Sequence, residues 1–180
     1  MSKTIKVALA GAGAFGVKHL DGIKNIEGVE VISLVGRELD KTKEVAAKYG
    51  IKHVTTELSE SLALPELDAV ILCTPTQMHA SQSIQCLKAG KHVQVEIPLA
   101  DSWAGANAVV AEQKKTGLVA MCGHTRRFNP SHQYVNQQIT ADEGDDFHAL
   151  DVLDTVQVFD AESARARQGD FDGFGHLRLR

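Results

Sequence analysis

The chain has 180 residues, 43% of them hydrophobic, and a formal net charge of −4 at pH 7. That length holds one full domain and an appendage, and without a long apolar stretch the composition is that of a soluble globular protein. The mildly acidic balance offers nothing to hold nucleic acid or a membrane surface. Cys73, Cys86 and Cys122 are odd in number and lack C-x-x-C spacing, which suits reduced thiols in a cytoplasm.

In chain order, the apolar run 5–10 predicts a first strand, and it leads straight into GAGAFG at 11–16. The run is short, is broken by glycines and has no small-residue cleavage site, so it does not read as a signal peptide. Gly11 allows a tight turn out of the strand, Gly13 lets the main chain approach a pyrophosphate, and Gly16 lets the following helix pack closely on the sheet. Together with Ala14 and Phe15 these residues form a strand-to-helix elbow whose free N–H groups suit phosphates.

Further strands are predicted near 29–35, 53–55, 69–73, 92–95 and 118–122. Between them lie helices at 15–25, at 41–49 with Asp40 as N-cap and Gly50 as stop, at 79–89 closing on Gly90, and from Ser102 to Gly117. Another helix follows Pro130. Strands alternating with helices predict an α/β fold, a doubly wound parallel Rossmann sheet complete by about residue 122. In such a sheet the ligand lies beyond the carboxyl ends of the strands. Those ends carry GAGAFG, Gly36-Arg37, Thr74-Pro75 leading to His79, Glu96-Ile97-Pro98, and Gly123-His124-Thr125-Arg126-Arg127.

The end of the second strand bears on which nicotinamide cofactor would fit. An NAD site places an acid about 20 residues beyond the glycines, whereas here that position is Gly36, followed by Arg37 and then Glu38. Glycine removes a carboxylate that would repel a phosphate, and a guanidinium offers forked donors for one, so NADP is expected over NAD. Ser33 could add a hydroxyl if its face of the strand allows, and Arg37 could instead be a solvated loop residue.

The run AVILCTPTQMHASQSIQCLKAGKHVQVEIPLA at 69–100 resembles the Gfo/Idh/MocA oxidoreductase family. Thr74, Pro75 and His79 match T-P-x-x-x-H, Ala89 to Val93 match A-G-K-H-V, and Glu96 and Pro98 match E-K-P. Within the family, VEIPLA and GHTRRFNPSH resemble the subgroup that oxidises the cyclic hemiacetal of 4-carboxy-2-hydroxymuconate semialdehyde to 2-pyrone-4,6-dicarboxylate with NADP, in aromatic-acid breakdown. The resemblance implies that Thr74, Pro75, His79 and Glu96 lie at the cofactor, Glu96 near the nicotinamide ribose, with His79 alternatively no more than a helix-start residue.

Ile97 replaces the family lysine of E-K-P and cannot move a proton. The subgroup also has isoleucine there, so some other base must collect the hydroxyl proton of the hemiacetal. His124 is the candidate, with a structural histidine as the alternative. Arg126 and Arg127 are candidates for binding a carboxylated substrate, although either could be a packing or surface arginine. No His, Cys, Asp or Glu trio has metal-ligand spacing, and no nucleophile motif is present.

The expected organisation is an NADP-binding domain over 1–122, a connection over 123–140 and an atypical acidic tail over 141–180. The tail holds ten acids, four arginines and no lysine, with one strand candidate at 149–159. Asp172 and His176 match the family's D-x-x-x-H in spacing only. Family members carry a second α+β domain that floors the substrate pocket and forms much of a homo-oligomer interface, and this domain is expected to be largely absent here. Three origins of the tail fit: a truncated or frameshifted product, a short protein that binds NADP and acts as a sensor or partner subunit, or a small unread domain.

Overall fold

The computed structural model describes residues 4–142. Six strands, β1 (Ile5–Ala10), β2 (Val29–Val35), β3 (His53–Thr55), β4 (Ala69–Leu72), β5 (His92–Glu96) and β6 (Ala120–Gly123), form one sheet in the order β3-β2-β1-β4-β5-β6. Every neighbouring pair is parallel. The order reverses between β1 and β4, the switch point beyond whose strand ends sheets of this kind hold a ligand. The helices are α1 (Ala14–Ile23), α2 (Leu39–Tyr49), α3 (Leu58–Leu62), α4 (Thr76–Lys88), α5 (Trp103–Thr116) and α6 (Pro130–Asp142), with a 3-10 turn at Thr125–Phe128 before α6.

Both faces of the sheet are covered, so the strand residues that pack inward are mostly apolar. On one face Ala8, Ala10, Val70, Leu72, Val93 and Val95 pack with Leu58, Leu62, Cys86, Leu87 and Val109 from α3, α4 and α5. On the other, Leu9 and Leu34 pack with Leu20 of α1 and Ala46 of α2. Alternate β1 residues thus serve opposite cores, and each fully buried leucine contributes about 1.5–3 kcal/mol of transfer free energy.

Helix ends follow local chemistry. Gly50 and Gly117 close α2 and α5 in the left-handed region, at φ 70° and 68°, and Gly90 after α4 has φ 74°. At the start of α5, Gly105 N–H donates to Ser102 Oγ at 3.1 Å. Two expected starts are corrected. Glu38, not Asp40, is the N-cap of α2; Asp40 lies in the first turn, where its charge faces the positive end of the helix dipole. Helix α4 begins at Thr76 because Pro75 is the extended N-cap residue that fixes the entry. The strand candidate at 149–159, Asp172 and His176 lie outside the described residues.

Candidate cofactor site

The elbow after β1 is built on bare backbone. Gly11 has φ 109°, and a Cβ there would lie 2.4 Å from the Cys73 carbonyl oxygen. A Cβ on Gly16 would lie 1.8 Å from the Gly11 carbonyl oxygen, so α1 can approach the turn this closely only with glycine. Gly13 instead faces open space, with nothing within 4 Å of its Cβ position, and Ala14 and Phe15 beside it are exposed. Helix α1 has no side-chain cap and no acid in its first turn. Its first helical bond runs from Val17 N–H to the Gly13 carbonyl, so the preceding amides have no intrahelical acceptor. A cradle that is uncapped, free of acid and open above Gly13 fits a pyrophosphate.

At the end of β2, Arg37 is 93% exposed, with Nη2 3.6 Å from Glu38 Oε1. Lys41 Nζ lies 2.7 Å from Glu38 Oε2. The Lys41 hydrogen bond, more than the Arg37 charge, holds the Glu38 carboxyl below its ordinary range. Two cations therefore converge on one carboxylate just beyond the end of β2. Sequence reading missed Lys41, for which the signal was its spacing of three from Glu38. Ser33 is corrected: it is wholly buried, hydrogen bonded to His53 Nδ1 at 2.8 Å and to Ser61 Oγ at 2.7 Å. Its face of β2 points into the core between β3 and α3, so it offers nothing to a ligand.

Across the switch point, Thr74 Oγ1 donates to Gln82 Oε1 at 2.5 Å, and Pro75 is exposed. His79 is corrected as a cofactor contact. Its ring is 1% exposed, with Nδ1 2.7 Å from the Pro98 carbonyl oxygen and Nε2 2.8 Å from that of Thr74. Both ring nitrogens are engaged by main chain, so His79 ties the turn after β4 to the turn after β5.

Glu96, at the end of β5, pairs with His19 of α1: Nε2 lies 2.8 Å from Oε1, and the two side chains are 16% and 22% exposed respectively. Cys73, just beyond the end of β4, and Cys122, in β6, lie near this carboxylate. Burial first, and the Glu96 charge second, push the Cys73 thiol up to about 12 and the Cys122 thiol up to about 11. Both are protonated at neutral pH. His19 escaped sequence reading because it lies 77 residues from Glu96. His124 is exposed just after β6, and Arg126 and Arg127 sit in the 3-10 turn that follows, Arg127 exposed.

An open parallel sheet with this order, a glycine elbow at its first crossover and polar strand ends on one rim defines a Rossmann-type dinucleotide-binding domain. The chain belongs to the Gfo/Idh/MocA family: the model described as "Oxidoreductase family, NAD-binding Rossmann fold" matches residues 5–124. It is 66% identical over 139 residues to 4-carboxy-2-hydroxymuconate-6-semialdehyde dehydrogenase of Sphingobium sp. (strain NBRC 103272 / SYK-6), covering 77% of this chain and 44% of that protein. The chain thus spans less than half the length of that relative. Among solved structures, GenD2 of gentamicin A biosynthesis, in complex with NAD, is similar at TM-score 0.65 and 30% identity over 68% of this chain and 35% of its own. A 3-ketoreductase from Actinomadura kijaniata, in complex with NADP, matches at TM-score 0.71 and 25% identity over 76% and 44%. Among the described residues, no helix is long and apolar enough to cross a membrane.

Proposed function

We propose that this chain provides the NADP-binding domain of a dehydrogenase that oxidises the cyclic hemiacetal of 4-carboxy-2-hydroxymuconate semialdehyde to 2-pyrone-4,6-dicarboxylate. The observation that carries the reading is the 66% identity to the Sphingobium dehydrogenase of that substrate. When bound, the nicotinamide supplies a hydride acceptor. Gly11, Gly13, Ala14, Phe15 and Gly16 would hold the pyrophosphate through main-chain amides, and the exposed turn at Thr74-Pro75 would border it. Arg37, joined by Lys41, would bind the 2′-phosphate, and Glu96 would accept from the nicotinamide-side ribose.

A cyclic hemiacetal is primed for oxidation, because loss of hydride leaves a lactone carbonyl and only the hydroxyl proton remains to be collected. Ile97 cannot collect it. In this reading His124 accepts that proton at a ring nitrogen, while Arg126 and Arg127 bind substrate carboxylates. The same chemistry makes the partner a small carboxylated molecule, and the family setting makes the working form a cytoplasmic homo-oligomer.

The test mixes the purified chain with NADP and the hemiacetal and follows NADPH absorbance, alongside calorimetric titration with NADP and NAD. Turnover with tighter NADP uptake is the expected result. Uptake without turnover would favour a cofactor-binding unit, since orienting substrate and excluding water draw on more surface than pyrophosphate contacts do. No uptake of either coenzyme would overturn the reading.

A further inference from the structure

Glu96 is a carboxylate withdrawn from most of the solvent at the end of a central strand, and such a group is costly unless a donor engages it. Its own turn gives no help, since the next residue is the apolar Ile97. The thiols near it, Cys73 and Cys122, are protonated at neutral pH and carry no charge to oppose or balance it. The donor comes from another element: His19 Nε2, 2.8 Å from Oε1.

That same oxygen is bounded on its other side by Gly123. A Cβ there would lie 2.6 Å from Gln94 Nε2 and 3.0 Å from Glu96 Oε1, so a side chain at 123 would displace the Gln94 amide and crowd the carboxylate by a few tenths of an ångström. His19 also sits in the helix whose first turn forms the elbow. One rigid element therefore carries both the uncapped amides and the group that fixes Glu96.

We infer that His19 is the positioning residue for Glu96: it holds Oε1 against bare Gly123 and leaves Oε2 to accept from a hydroxyl of the nicotinamide-side ribose. The inference rests on the reading of the elbow as a nicotinamide dinucleotide site. Glu96 lies two strands beyond β1, on the opposite side of the switch point from Arg37, so the pair acts on the nicotinamide half of the ligand and not on the adenosine half. A carboxylate oriented in advance binds without losing rotamer freedom at that moment, which is the source of the affinity gain.

The test titrates the 180-residue chain calorimetrically with NADP and with 2′,5′-ADP, which has the adenosine-side phosphates but no second ribose. His19→Ala should weaken NADP about tenfold and leave 2′,5′-ADP within about twofold of the parent chain. His19→Gln, whose amide N–H can also donate, should recover most of the loss. Gly123→Ala, which crowds the same carboxylate, should shift NADP affinity in the same direction as His19→Ala and by less. Equal weakening of both ligands would mean that His19 is merely structural, and unchanged NADP affinity would mean that it does not act through Glu96. Either result overturns the inference while the cofactor reading stands, whereas a parent chain that binds neither ligand overturns both.

Discussion

A methyl group on Gly36 would fall 2.1 Å from Oγ1 of Thr42, whose hydroxyl donates to the Glu38 carbonyl at 2.7 Å in the first turn of α2. The absence of an acid at the end of β2 therefore has a steric cause. Restoring an NAD-type acid by Gly36→Asp is expected to destabilise the fold by about 1–3 kcal/mol, as overpacking does, and thermal denaturation would report it as a lower Tm. Adding Thr42→Ala should return part of the loss, since the two sites share one space. Strict additivity of the two changes would show that the clash is not the cause.

Arg37 and Lys41 both face Glu38, at 3.6 and 2.7 Å. If they form the receptor for a 2′-phosphate, Arg37→Ala should weaken NADP by about tenfold or more and NAD by much less. Glu38→Gln should act in the opposite direction, because it removes the one anion that competes with the phosphate for both cations. Calorimetry at low salt measures both effects, and the difference should shrink as salt screens these exposed charges. Equal losses for the two coenzymes in Arg37→Ala would mean that Arg37 does not read the phosphate.

What was legible in the sequence is what depends on neighbours along the chain. Strands 5–10, 29–35 and 53–55 have the limits expected from their apolar runs, and Gly11, Gly16, Gly50, Gly90 and Gly117 are fixed by φ or close approach. Helix α3, five residues long, is too short to display a period, and Pro75 rather than any helical pattern sets where α4 starts. The site residues misread are those whose partners lie far along the chain. Ser33 turns inward because His53 and Ser61, 20 and 28 residues on, receive it, and His79 serves the carbonyls of Thr74 and Pro98. The pairing of His19 with Glu96 had no local signature at all.

Ser33 offers a direct check on its reassignment. Replacing it by alanine removes one buried hydroxyl shared by His53 and Ser61. The expected cost is about 1–3 kcal/mol in chemical denaturation, the usual penalty when buried polar groups lose a partner. NADP affinity should stay unchanged, because the hydroxyl is wholly buried against His53 and Ser61. A loss of affinity without a loss of stability would return Ser33 to the cofactor.

The Glu96 charge also adds to the effect of burial on the thiols beside it. Cys73 and Cys122 are raised by burial first and by its charge second, whereas Cys86, pushed up to about 12, is raised by burial with no contribution from Glu96. Glu96→Gln should therefore lower the first two, only partly because burial remains, and leave the third alone. Initial rates of iodoacetamide alkylation, resolved by mass spectrometry between pH 7.5 and 10, follow the thiolate fraction and should rise at Cys73 and Cys122 but not at Cys86. The linkage to stability has one sign. A thiol raised above its ordinary value of 9.0 contributes stability that is fully present below pH 9 and is lost as pH climbs through 11 to 12, because the unfolded chain releases its protons first. The variant should lose that contribution at lower pH than the parent. Equal acceleration at all three cysteines would indicate general loosening of the fold instead of the removal of one charge.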